Sequence, residues 1–165
     1  MPEYELKPLT VDHRRAAEAF AAKIPHGDRA FIDRSLLSQV SVAGWTQRSP
    51  ARRTGAFAGD DMVAIMTVNP QAGWMSKVGE LRLVVLPEAR GHGLATRLAN
   101  RAVEIATEMD LNKLYVEVLE QLDRVIAMFV SLGFEQEAVL RDHVLDGEGN
   151  PGNLCILSRF LKEAP

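Results

Sequence analysis

Residues 90–96, Arg-Gly-His-Gly-Leu-Ala-Thr, set an arginine before two glycines and an alanine, just where a helical period opens. A helix N-terminus leaves its first four backbone N–H groups unpaired and carries partial positive charge. It holds an anion such as pyrophosphate when the anion comes within hydrogen-bonding distance of the backbone. A side chain at Gly91 or Gly93 would block that approach, and glycine's entropic cost on folding calls for such a reason. Arg90 adds a permanently charged planar fork suited to phosphate. The chemistry read here is the holding of a phosphorylated ligand by a strand–loop–helix unit. No Gly-Lys-Ser/Thr follows, so it is not a Walker A loop, and the glycine spacing is not that of the dinucleotide fingerprint. A glycine turn that only joins strand to helix is the alternative these residues leave open.

The elements that must position this loop follow from the apolar pattern. VGELRLVVL, 78–86, reads as a mostly buried strand leading into it. After it, Leu94, Leu98, Ala102, Ile105 and Met109 mark a helix ending near Asp110. KLYVEVL, 113–119, alternates as a strand, and strand–helix–strand implies a parallel pair with a right-handed crossover. A second helix places Leu122, Val125, Ile126, Phe129 and Val130 on one face and ends at Gly133. Two strands, about 134–145 and 153–161, close the order around the turn-rich DGEGNPGN. Upstream, 3–9 reads as a strand, 11–23 as a helix with Thr10 as N-cap, and 28–40 as a second helix. Residues 44–55 read as a loop, and Gly59-Asp60 turns a hairpin between TGAFAG and MVAIMTV. The fold class expected is α/β, a mixed sheet covered by helices.

Bulk properties narrow the partners. The 165 residues suit one sizeable core, and a net charge of -3 speaks against nucleic acid. A single cysteine, Cys155, cannot form an internal disulfide, which suits a reducing compartment. The N-terminal residues lack the apolar core of a secretory signal, and no run reaches the ~20 apolar residues of a membrane helix. A cytoplasmic protein with no membrane partner is expected. His13, His26, His92 and His143 are scattered, and no Cys/His spacing suggests a metal.

VVLPEARGHGLATRLANRAVEIA resembles the signature segment of the GNAT superfamily of acyl-CoA-dependent N-acetyltransferases, with Arg90, Gly93 and Ala95 in register and Pro87 before them. SLGF, 131–134, resembles that family's Leu-Gly-Phe, and the element order is similar over essentially the whole chain. The resemblance implies one GNAT-like acetyltransferase domain over 1–165. Its sheet would be mostly antiparallel with one parallel pair.

It further implies acetyl-CoA as co-substrate, lying in a splay between the parallel strands, and no metal. The pyrophosphate would meet backbone N–H groups of Gly91, His92, Gly93, Leu94, Ala95 and Thr96, with Arg90 and Arg97 beside them. The pantetheine arm would pair near Val84, Val85 and Leu86, where an N–H near Val84 polarises the thioester carbonyl. The acetyl group would pass to a primary amine (small molecule, lysine or N-terminus) by direct attack in a ternary complex. An ammonium must lose a proton first, and Glu80, where family members often carry a glutamate, is the expected base, sharing a strand face with Arg82 and Val84. Glu117 is a weaker choice. The tyrosine that many members use to protonate the leaving thiolate would fall at 129, which is phenylalanine here. The asparagine often found earlier on that helix is replaced by Leu122. Tyr115 is the substitute considered, beside its reading as a core aromatic. Arg101 is expected in solvent, and Asp142 and His143 on the acceptor side. Trp45 and Trp74 are read as either lining an acceptor pocket or covering the core. A homodimer could form through an open strand edge. Two other readings stay open: a catalytically inactive acyl-CoA-binding sensor or interaction module, and a phosphate-binding fold for another nucleotide.

Overall fold

The computed structural model describes residues 3–29 and 50–162. The helix expected over 28–40 lies almost wholly outside them, as do Trp45 and Arg48. Seven strands form one mixed sheet: β1 (Glu5–Pro8), β2 (Arg52–Ala58), β3 (Asp61–Pro70), β4 (Val78–Val85), β5 (Lys113–Leu119), β6 (Glu135–Leu145) and β7 (Pro151–Phe160). Their order across the sheet is β1-β2-β3-β4-β5-β7-β6. Only β4 and β5 run parallel, joined by the long crossover helix α3 (Leu94–Glu108). The hairpin β6–β7 folds back so that β7, not β6, lies beside β5. Among the described residues the other helices are α1 (Arg14–Lys23), the short α2 (His26–Arg29) and α4 (Asp123–Ser131).

Alternation along each strand separates two faces. Leu81 on β4 and Leu114, Val116 and Val118 on β5 enter one core with Leu94, Leu98, Ala102 and Ile105 of α3 and with Phe129 and Phe134. Phe57, Ile65 and Leu86 enter the other with Phe20 of α1 and Ile24, and Val84 packs there too. Glu80 and Arg82 therefore share the α1 side of the sheet with Val84.

Some expected boundaries move. The segment 11–13 is a 3-10 turn that runs straight into α1, with Thr10 as its N-cap, and the Thr10 N–H donates to the His13 ring, 3.1 Å away. Residues 52–55 belong to β2, because antiparallel pairing with β3 extends that far. On α4 the expected apolar face divides. Phe129 is buried edge-on to Phe134, while Leu122, Val125 and Val130 are exposed. Helical period alone does not say which part of a wide apolar stripe meets the sheet.

At the α3–β5 turn Asp110 adopts φ 58 and ties two distant lysines, Lys162 and Lys77. Those ammonium groups, Lys162 first, hold its carboxyl down from 3.8 to about 2. A lowered carboxyl pKa in the folded state adds stability above the unfolded value and loses it as pH falls through the folded one. Acid titration followed by circular dichroism should show this contribution fading from about pH 4 toward pH 2, and Asp110→Asn should remove it. In urea denaturation, Leu98→Ala should cost about 2–5 kcal/mol. Val130→Ala, on the exposed part of α4, should stay within about 0.5 kcal/mol.

Candidate active site

The ladder between β4 and β5 runs only from Val78↔Lys113 to Leu81↔Val116. Beyond it β4 stays paired with β3 as far as Val85, and β5 with β7 as far as Leu119. The parallel strands thus part, each held by its outer neighbour, and a wedge opens between their C-terminal ends. The bonds Gln71 N–H to Val78 O and Leu86 N–H to Val63 O, 2.9 Å each, fix which backbone groups of β4 face β3: those of the even-numbered residues. Val84's own N–H is therefore directed at β3. The groups facing the wedge belong to its neighbours Leu83 and Val85. The Val85 carbonyl accepts from Arg90 Nε at 3.0 Å, and its N–H points the same way.

Past the wedge, Pro87–Ala89 makes a 3-10 turn, and Gly91 and Gly93 follow with φ of 79° and 73°. A Cβ at either would meet nothing within 4 Å. The glycines are required first by left-handed backbone, and the open space over them is what an approaching ligand needs. Gly93 is the N-cap of α3, with no side-chain cap and no acidic residue in the first turn. The Arg97 N–H bonds the Gly93 carbonyl at 3.1 Å, so the N–H groups of Leu94, Ala95 and Thr96 are the orphan donors of the helix. His92 is exposed within the loop.

The two arginines expected on phosphate have partners inside the protein. Arg90 pairs with Asp28 at 2.6 Å, besides its bond to Val85. Arg97 donates to the Tyr4 carbonyl at 3.1 Å, fastening β1 to α3. Arg101 pairs with Glu104 and Glu108 along α3. The loop thus presents three unpaired amides beside two guanidiniums that already hold partners within the protein.

Glu80 is 7% exposed and takes the Arg82 Nε at 3.0 Å. Its register partner across the parallel ladder is Tyr115, on the same face. Burial pushes the Tyr115 phenol above its ordinary value, and the Glu80 and Glu117 charges add to that. Glu117 is exposed. Tyr115 also pairs with Ser158 on β7, whose hydroxyl donates to Glu137 at 2.5 Å, and Lys113 closes on the same carboxylate. Lys113, with Ser158 after it, lowers the Glu137 pKa. Glu137 was not singled out from sequence, because only the bulge in β6 between Gln136 and Ala138 brings it onto Ser158.

Other expected positions resolve plainly. Phe129, where a tyrosine hydroxyl would stand, is closed in the core against Phe134. Trp74 projects fully into solvent from the β3–β4 connection and does not cover the core. Cys155 is buried, which raises its thiol pKa. Asp142 borders an open polar cleft of about 390 Å³ with Glu120 and Asn153, and His143 is exposed on β6. Among the described residues no cluster of His, Cys, Asp and Glu could hold a metal, and no helix is long and apolar enough to cross a membrane.

A parted parallel pair, a left-handed glycine loop and a bare helix N-terminus coincide with a family pattern. Residues 15–134 match the model of the acetyltransferase (GNAT) family, and the chain belongs to that family. It is similar to YjgM, an uncharacterised N-acetyltransferase of Escherichia coli K12: 41% identical over 97 residues, 58% of this chain and 54% of YjgM. It is also similar to spermidine N(1)-acetyltransferase of the same strain, 32% identical over 88 residues, 51% of this chain and 47% of that one. The chain spans about half the length of the curated relatives it matches. Two solved structures share the fold. An N-acetyltransferase from Staphylococcus aureus Mu50 has a TM-score of 0.80 at 15% identity, covering 97% of this chain and 99% of that one. The structure of yncA from Salmonella typhimurium, assigned as an acetyltransferase and solved with its cofactor acetyl-CoA, has 0.81 at 13%, covering 98% and 95%.

Tyr115 can be watched directly, since the chain has only two tyrosines. In a Tyr4→Phe background, phenolate absorbance should titrate above pH 10, and Glu80→Gln should bring the midpoint down.

Proposed function

We propose that the protein transfers an acetyl group from acetyl-CoA to a primary amine by direct attack in a ternary complex. One observation carries this reading: the β4–β5 ladder ends one residue after the Glu80↔Tyr115 pair, so a buried carboxylate stands at the mouth of the wedge. The N-acetyltransferase names of the relatives and the acetyl-CoA held by yncA support it. The residues fit the co-substrate. The open space over Gly91 and Gly93 admits a pyrophosphate to the N–H groups from Gly91 to Thr96, and the wedge-facing groups of Leu83 and Val85 suit the pantetheine amides.

Acetyl-CoA supplies a thioester carbonyl: the C–N bond forms as the C–S bond breaks, and sulfur leaves with the electron pair. Glu80 takes a proton from the acceptor ammonium, leaving the nitrogen lone pair free to attack. The N–H groups of Leu83 and Val85 donate toward the carbonyl oxygen as it gains charge. The nitrogen's remaining surplus proton passes by Tyr115 or water to the departing sulfur, giving CoA thiol and the amide. With Phe129 in place of a hydroxyl, the acidity of a thiol lets the thiolate leave without a dedicated acid on α4. Residues 1–165 act in this reading as one acetyltransferase domain, cytoplasmic in keeping with the lone free Cys155. A homodimer would use an open sheet edge, β1 or β6.

Calorimetric titration of acetyl-CoA should show saturable binding to the wild type and none to Gly93→Asp, whose carboxylate meets the pyrophosphate position. Glu80→Gln should bind acetyl-CoA normally and lower kcat with an amine acceptor by about 10²–10⁴-fold, measured as CoA thiol release. No binding by the folded wild type would overturn the reading. Binding with no turnover across a broad amine panel would favour a sensor module instead.

A further inference from the structure

One rung further along the strands from Glu80, the same face carries Arg53, Thr67 and Arg82 in a row. Arg53 is opposite Thr67 across β2–β3, and Thr67 is opposite Arg82 across β3–β4. We propose that this row binds a carboxylate of the acceptor, so that the amine acetylated is a small amino acid-like molecule rather than a polyamine. The inference rests on the acetyl-transfer reading above and names the substrate class of that site.

Thr67 is the anomaly that points to a ligand. It is 4% exposed, and its Oγ1, shut off from solvent, has no hydrogen-bond partner among the described residues. A buried hydroxyl without a partner is costly and rare in a finished fold. Valine would fill the same space between Arg53 and Arg82 without that cost, so the hydroxyl calls for a function. A carboxylate arriving at the row gives the hydroxyl the acceptor it lacks. On either side a guanidinium offers five donors in a planar fork, enough to keep present bonds and add a carboxylate. Arg53 is itself half-buried, and burial pulls its pKa down, so an anion beside it restores the charged form's solvation.

The spacing suits a short molecule. Neighbouring strands lie about 4.8 Å apart, and residues two along a strand about 6.8 Å, which makes Thr67 and Glu80 diagonal neighbours roughly 8 Å apart. Side chains stand roughly perpendicular to a sheet, so their tips keep about that separation. An α-amino acid hydrogen-bonded at its amine and at its carboxylate, about 2.8 Å each, bridges a similar distance. A second ammonium, as in a polyamine, would instead meet Arg53 and Arg82. Glu117 on β5 and Glu137 beyond it lie on the far side of β4 from Thr67, and Lys113 and Ser158 already hold Glu137.

The test uses the intact protein loaded with CoA, the common L-amino acids, their α-amides, and spermidine. Thermal unfolding reads binding, and thiol release from acetyl-CoA reads turnover. At least one amino acid should raise the unfolding temperature saturably and be acetylated with kcat/KM about tenfold or more above its amide. Thr67→Val, which keeps the side-chain shape, and Arg53→Met should each raise KM for the acid more than they lower kcat. Each should also cut the acid-over-amide preference about tenfold. Acetyl-CoA titration of both variants serves as the folding control. The proposal is overturned if no amino acid binds the CoA-loaded protein. It is overturned equally if amides or spermidine serve as well as acids, or if both variants keep the preference. Amino acid binding without thiol release would keep the carboxylate site and overturn the acetyl-transfer reading.

Discussion

Everything at the site depends on two parallel strands being unable to stay together. Beyond Leu81 and Val116, β4 follows β3 and β5 follows β7, because antiparallel pairing on the outer sides continues while the inner ladder has stopped. A sheet that opens in this way leaves backbone polar groups facing each other across a gap. Buried backbone groups require partners. A ligand with amides along a thin chain can supply them without competing with the side-chain cores on either face.

The rest of the fold keeps the wedge in place. The α3 helix packs Leu94, Leu98 and Ala102 under β4 and β5, which fixes its N-terminus at the wedge's open end. The left-handed glycines turn the chain sharply enough for the helix to start there. On the opposite face, α1 and Phe57 seal one end of β3 and β4, while the other end of that face stays polar, with Thr67, Glu80 and Arg82. The fold thus separates a backbone-lined slot from a polar, side-chain-lined surface. Glu80 stands where the two adjoin.

What could be read in the sequence was whatever depends on local pattern. The strand 113–119, the helix opening at Leu94 and the parallel pair stand in the structure as the periodicity predicted. The glycine loop was legible because left-handed backbone leaves a compositional mark. Glu80 was singled out through resemblance alone, since nothing local separates a buried strand glutamate from an exposed one. The partners of Arg90 and Arg97 were illegible for the same reason: they are Asp28 and the Tyr4 carbonyl, and neither is near in the chain. Residues whose meaning comes from another strand, Thr67 against two arginines and Glu137 on Ser158, left no signal along the chain.

The fastenings of Arg90 and Arg97 have a mechanical consequence. Both join the loop and first turns of α3 to the opening quarter of the chain, one at the start of β1 and one at α2. Residues far from the loop in sequence, Tyr4 and Asp28, therefore share in its anchoring, and a substitution that displaced either would release an arginine beside the glycines.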